Sequence, residues 1–195
     1  MWVSFLRQSW LAVASSLVFG LLVAGVYGGL EGRIAQNQKR KMAAAMRALL
    51  PAAATFEEVR SADGQRVEYA VGQANGGTVG YVIEQGGKGF ADEIVLLIAA
   101  DGRLERVVGT AVLKSNETPG FGDQIKNAEF RDQFTGAPAE ELAVVKSGDR
   151  GAKDREIVAI TGATISSDAV VRIVNEGVAK LKQAVAGGSA GVAGQ

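Results

Sequence analysis

The chain has 195 residues, a formal net charge of zero and 47% hydrophobic residues, which suits one domain of ordinary size once any membrane segment is set aside. It contains neither Cys nor His, which excludes disulfides, thiol nucleophiles, Cys-ligated zinc or iron–sulfur centres, His-ligated haem and His-based triads. Scattered basic residues and few aromatics give no reason to expect nucleic acid as a partner, and any redox chemistry needs an organic cofactor.

From Gln8 to Leu30 the chain carries no charge. As a helix this stretch spans roughly 35 Å, enough to cross a hydrocarbon core of roughly 30 Å with some tilt. Trp10 and Tyr27 stand near its two ends, where interfacial aromatics belong. A cleaved signal peptide is the competing reading. The apolar run is longer than an h-region, and no small-x-small cleavage site follows, so an uncleaved transmembrane anchor over residues 1–30 is expected. Arg33, Lys39, Arg40, Lys41 and Arg47 follow the helix and the α-amino group and Arg7 precede it, a balance that places the C-terminal side in the cytoplasm if local charge decides.

Residues 31–51 read as a helical stalk: Ala43, Ala44, Ala45, Met46, Leu49 and Leu50 favour helix, and Pro51 ends it. The Lys39–Lys41 cluster reads as a solvated face of that stalk, with anionic lipid headgroups as a second possible contact. RVEYAVG (66–72) and TVGYVIEQ (78–85) read as strands about the turn residues Asn75, Gly76 and Gly77. EIVLLIAA (93–100) and RLERVVGTAVL (103–113) flank Asp101-Gly102, a pair that predicts a type I′ hairpin turn. The unbroken apolar run Ile94–Ile98 predicts a strand buried on both faces.

The segment 114–134, KSNETPGFGDQIKNAEFRDQF, begins as a loop around Asn116, Pro119, Gly120 and Gly122 and ends as a short helix with Phe130 and Phe134 one turn apart. ELAVVK (141–146) and EIVAI (156–160) read as short strands. The chain then enters a helix through ITGATISSDAV (160–170), with Val170, Ile173, Val174, Val178 and Leu181 on one face. The Gly/Ala/Ser-rich tail, 187–195, reads as disordered. These elements make an α+β domain over residues 52–186, a mixed or antiparallel sheet packed by helices.

Two stretches can carry chemistry. In TGAT, small residues meet a helix start whose free N–H groups stabilise a phosphate beside Thr164. An ordinary capped helix, with Ser166 or Ser167 as N-cap and Asp168 favourable in the first turn, fits the same residues. In SNETPGFGD, Glu117 and Thr118 are held by Pro119, and Gly120 and Gly122 let a planar ligand or a phosphate approach the backbone; a plain Pro-Gly turn with a solvated Glu117 is equally compatible. Phe121, Phe130 and Phe134 could stack on such a ligand, although core packing is their default. Asp123 and Asp132 are isolated acids and do not make a metal site.

The anchor, KSNETPGFGDQI (114–125), FRDQF (130–134) and ITGATISSDAV together resemble the FMN-binding G subunit of Rnf-type electron-transport complexes, and the related C subunit of sodium-translocating NADH:quinone oxidoreductase. Order and spacing match over nearly the whole chain. The resemblance implies FMN attached to the last threonine of S/T-G-A-T, here Thr164, through a phosphoester made by a flavin transferase with FAD as donor. It implies cofactor contacts from Thr161, Gly162 and Ala163, and from Glu117, Thr118 and Gly120 of the E-T-P-G-x-G loop. The family's acceptor motif has Asp three residues before S/T-G-A-T; Val158 stands there in this chain.

The resemblance further implies an electron carrier within a ferredoxin/NAD-linked ion translocase, not catalytic alone. It would sit in the bacterial cytoplasmic membrane among lipid and other redox subunits, with its domain on the extracytoplasmic side, against the local charge balance. Two other readings use the same residues: a membrane-anchored, flavin-free assembly module whose TGAT turn only caps a helix, and a standalone flavinylated carrier outside any ion pump.

Overall fold

The computed structural model describes residues 2–60 and 67–192. Helix α1 (Trp2–Leu49) opens the chain. Its segment from Ser9 onward is long and apolar enough to cross a membrane, with a mean hydropathy of 2.0 in its best window. Large apolar side chains there, Leu17, Phe19, Leu21 and Leu22 among them, are exposed. Residues Met1–Met42 form one unit and Ala43–Gln195 another, so the last turns of α1 fold with the domain that follows.

That domain is built on one antiparallel sheet in the order β1 (Thr55–Arg60), β2 (Val67–Ala74), β3 (Gly77–Lys88), β4 (Glu93–Asp101) and β5 (Val107–Lys114). Arg66, expected to open β2, lies outside the described residues. Strand β1 was not expected: TFEEVR is a mostly exposed edge strand whose acidic residues face water, so it carries little apolar signal.

The primed turn falls elsewhere than predicted. Asn75 and Gly76 both have positive φ, +52° and +76°, as a type I′ hairpin requires. Asp101-Gly102 opens a longer loop: Asp101 Oδ1 accepts from the Glu105 and Arg106 N–H groups, and Leu104 takes the positive φ of +57°. The aspartate side chain satisfies the loop's amides, so a two-residue turn is not needed.

Strand β4 is buried on both faces, as its unbroken apolar run predicts. Ile94, Leu96 and Ile98 join the main core, and Leu97 and Ala99 are fully buried between them. Helix α3 (Thr164–Val192) packs across β3 and β4 on one face. The contact is close because two positions lack side chains: a Cβ on Gly87 would lie 2.6 Å from Ile173 Cγ1, and one on Gly177 would lie 2.5 Å from Ile98 Cδ1. On the opposite face of β3 sits the end of α1. Leu50 covers the glycine pair Gly72 and Gly80, and Leu49 reaches Gly109 on β5. Met46 and Leu50, assigned to a stalk by sequence, are therefore core residues.

Beyond β5 come 3₁₀ turns at Gly122–Lys126 and Asp132–Phe134, with the single-turn helix α2 (Ala128–Arg131) between them. Phe130 and Phe134 are buried and meet edge-to-face with centroids 5.6 Å apart. A small parallel pair, β6 (Ala143–Val145) and β7 (Glu156–Val158), leads into α3. α3 continues through the Gly/Ala-rich segment to Val192, where a disordered tail was expected from 187 onward. No Pro interrupts it, and an established helix propagates more easily than it starts; residues 193–195 lie outside the described residues.

Candidate functional site

The two motifs singled out by sequence form similar turns that face each other. In Thr118-Pro119-Gly120-Phe121 the Phe121 N–H donates to Thr118 O at 3.2 Å, and Gly120 has φ +79°. In Ile160-Thr161-Gly162-Ala163 the Ala163 N–H donates to Ile160 O at 2.9 Å, and Gly162 has φ +80°. Both carry the signature of a type II turn, with glycine at the third position because φ must be positive there. The turns touch: a Cβ on Gly162 would lie 3.2 Å from Phe121 Cδ1.

Between them opens a cleft of ≈ 410 Å³, lined by Phe90, Thr118, Phe121, Gly122, Gly162, Ala163, Thr164, Ile165 and Ser166. Three aliphatic or aromatic side chains at its rim, Phe90, Phe121 and Ile165, are more than half exposed. Thr164 is exposed and is the first residue of α3, so its hydroxyl stands beside the free N–H groups of that helix start. No lining residue bears a charge.

The strand feeding this turn is fixed by one buried amide. Gln133 Oε1 accepts from the Val158 N–H at 2.8 Å, and Gln133 Nε2 donates to Val158 O at 3.2 Å. Val158 itself is buried, with Cγ2 lying 3.4 Å from where a Cβ on Gly148 would be.

The expected N-cap is corrected. Neither Ser166 nor Ser167 caps α3, because the helix begins earlier, at Thr164. Ser167 Oγ accepts from the Ile160 N–H and donates to Ala163 O, both at 3.0 Å, and so ties the turn to the first helical turn. Ser166 Oγ donates to Glu117 Oε2 at 2.5 Å. Glu117 is not solvated: it is 4% exposed, and its Oε1 accepts from the Ala91 N–H at 3.1 Å.

Of the residues expected at the site, Thr118, Gly162, Ala163 and Thr164 line the cleft. Glu117 lies beneath it, and Thr161 and Gly120 shape the turns without lining it. Gly122, expected from sequence to let a ligand approach the backbone, lines the cleft too, whereas Phe90, Ile165 and Ser166 were missed as lining residues. An apolar side chain beside a glycine, as in Gly89-Phe90, was the available signal for Phe90. Phe121 lies at the cleft, whereas Phe130 and Phe134 are core. Among the described residues no cluster of acids could hold a metal ion.

The loop beside Glu117 is tied to the β3–β4 connection by polar contacts. Asn116 Nδ2 donates to Asp92 Oδ2 at 2.7 Å, and Lys114 Nζ donates to Glu93 Oε2 at 3.0 Å. The Asn116 hydrogen bond, helped by the Glu93 backbone, holds the Asp92 carboxyl below its ordinary value. The bond to Glu93 raises the Lys114 amine.

Residues 89–179 match the family model described as the FMN-binding domain. These residues include every residue that lines the cleft. The chain is 37% identical over 74% of its length to the G subunit of the Na(+)-translocating ferredoxin:NAD(+) oxidoreductase complex of Acetobacterium woodii, covering 75% of that protein. It is 34% identical over 85% of its length to the G subunit of the ion-translocating oxidoreductase complex of Methanosarcina acetivorans, covering 88% of it. The fold is similar to that of the C subunit of the Na(+)-translocating NADH-quinone reductase of Parabacteroides distasonis, with TM-score 0.50 and 24% identity over 57% of this chain and 59% of that one.

The cleft suits such a ligand. It offers apolar surface at its rim, a helix start for a phosphate, and a floor at Gly122 where a Cβ would meet Ser166 Oγ at 2.6 Å. With an FMN-binding domain, an apolar N-terminal helix and two relatives above 30% identity along most of its length, the chain belongs to the G-subunit family of Rnf-type ion-translocating oxidoreductase complexes.

Proposed function

We propose that this chain is the electron-carrying flavoprotein of its complex, with FMN held covalently as a phosphoester of Thr164. One observation carries the assignment. Thr164 places an exposed hydroxyl at the first residue of α3, inside the cleft and beside unpaired helical N–H groups. Ser166 and Ser167 are buried with their hydroxyls engaged. Thr118 shares the cleft but does not stand at a helix start.

In the attachment step Thr164 Oγ1 bonds to the flavin-side phosphorus of an FAD donor. The pyrophosphate P–O bond breaks, AMP leaves, and the threonine proton passes to the transferase. The new ester carries one negative charge, which the N-terminus of α3 stabilises by about 0.3–1 kcal/mol. No lining side chain is cationic, so the helix start and the covalent link together hold the phosphate. Phe90, Phe121 and Ile165 offer apolar surface against the ring and exclude water from it. When bound, FMN supplies reversible electron transfer, and the chain needs no proton-transferring residue of its own.

The Acetobacterium relative is named for a ferredoxin:NAD(+) oxidoreductase, and we read this chain as passing electrons between other redox subunits of a complex of that kind. It binds neither ferredoxin nor NAD itself. α1 crosses the cytoplasmic membrane in contact with lipid, and the domain lies on the extracytoplasmic side, where a tether prevents cofactor loss. A flavin transferase is its partner during maturation.

In-gel fluorescence of denatured protein from its own host tests the reading. The wild type fluoresces and Thr164→Ala does not. A dark wild-type band would return the chain to a flavin-free assembly module.

A further inference from the structure

We infer that Glu117 does not contact the cofactor but is a positioning residue, whose buried carboxylate sets Thr164 for flavin attachment by holding Ser166 in the first turn of α3. The inference rests on the assignment of Thr164 as the attachment site. It replaces the contact with the flavin that the sequence resemblance implies for this glutamate.

The geometry around Glu117 is closed on every side described. Oε1 accepts from the Ala91 N–H at 3.1 Å and Oε2 accepts from Ser166 Oγ at 2.5 Å, so both oxygens are used inside the protein. The residue is 4% exposed and Ser166 3%. Two glycines make room for it. A Cβ on Gly89 would collide with Oε1, and one on Gly122 would lie 2.8 Å from Oε2. The carboxylate therefore joins three segments: the β3–β4 connection carrying Phe90, the loop carrying Phe121, and the helix start carrying Thr164.

Ser166 is two residues from Thr164 in the same helical turn, and Ser167 anchors the other side of that turn to Ile160. Rotation or fraying of this turn moves the Thr164 hydroxyl. Group transfer to a hydroxyl is steep in such displacements, because misplacement by about 1 Å can cost on the order of a hundredfold in rate. A carboxylate bond is among the stronger ones, and its loss leaves a buried partner unmatched.

The nature of the two partners separates positioning from charge. Ala91 offers an N–H, which can only donate, whereas a serine hydroxyl can donate or accept. A glutamine can therefore turn its carbonyl to Ala91 and its amide to Ser166. The Ser166 hydroxyl oxygen accepts that amide, so the link between the loop and the helix start survives. Glu117→Gln should work, and Glu117→Ala should not.

The test is flavin attachment to full-length protein, followed by intact mass during co-expression with limiting flavin transferase, with melting of the flavin-free protein measured alongside. Wild type, Glu117→Ala, Ser166→Ala, Glu117→Gln and Asn116→Ala are compared. The last loosens the same loop without touching the carboxylate. Attachment slows at least about tenfold in Glu117→Ala and Ser166→Ala, and stays within about twofold of wild type in Glu117→Gln and Asn116→Ala. Where Glu117→Ala melts below the assay temperature, Ser166→Ala decides alone, since alanine is the better helix former.

Attachment at the wild-type rate in Ser166→Ala overturns the inference, and so does a Glu117→Gln variant as slow as Glu117→Ala. A wild type that never gains flavin overturns the Thr164 assignment instead, so the two failures are distinct.

Discussion

Gly162 and Phe121 meet across the mouth of the cleft, each delivered by a turn with a glycine at positive φ. Gly162 cannot become alanine without cost, because its φ is +80° and a Cβ would come within 3.2 Å of the Phe121 ring. Gly162→Ala should lower stability by about 1–2 kcal/mol, the usual penalty for a side chain in left-handed backbone. It should also slow flavin attachment by displacing Phe121. Denaturant unfolding of the flavin-free protein and an attachment time course check both effects; unchanged values in both would contradict the turn assignment.

Phe90 and Phe121 pose the converse case. Both are more than half exposed, so replacing either with alanine should change stability by no more than about 0.5 kcal/mol. The same change removes apolar surface from the cleft and should shift the flavin absorbance envelope and increase its quenching by solvent. Spectra of the flavinylated variants beside their melting curves check the split between function and stability.

Phe130 sits at the other extreme, 1% exposed and edge-to-face with Phe134. Phe130→Ala should destabilise the domain by about 3–5 kcal/mol through lost burial and the cavity left behind. Gly80→Ala should also be costly, by about 1–3 kcal/mol, because the new Cβ would lie 2.5 Å from Ala100 O and 3.0 Å from Leu50. Urea midpoints report both.

Acid should loosen the cleft before it unfolds the domain. The Asp92 carboxyl titrates below its ordinary value because Asn116 hydrogen-bonds its charged form. A depressed folded value means that the contribution is fully present above the ordinary aspartate range and is lost as pH falls through the lower, folded value. Hydrogen exchange in the 114–122 loop should therefore rise at the acid end in the wild type. In Asp92→Asn it should be raised already at neutral pH and show less further change.

Much of this was legible in the sequence, for physical reasons. The apolar run of β4 is continuous because α3 covers the face of Ile94, Leu96 and Ile98, while Leu97 and Ala99 are buried on the other. TGAT and ETPG were visible because each turn needs its glycine. Strand β1 was not legible, since an exposed edge strand carries Glu57 and Glu58 where a buried one carries valines. The burial of Glu117 could not be read from sequence either. Nothing local distinguishes a solvated glutamate from one sealed by Ala91 and Ser166, residues 26 and 49 positions away. The serines after TGAT look like caps, but Ser166 bonds across the fold to Glu117, and Ser167 ties the turn before the helix to its first turn.

The most direct measurement of the central claim is the intact mass of denatured, full-length protein from its own host, for the wild type and for Thr164→Ala. The account predicts that the wild type is heavier than its polypeptide by one esterified FMN and that Thr164→Ala has the polypeptide mass alone. A wild type at bare polypeptide mass, or an increment that survives in Thr164→Ala, would contradict it.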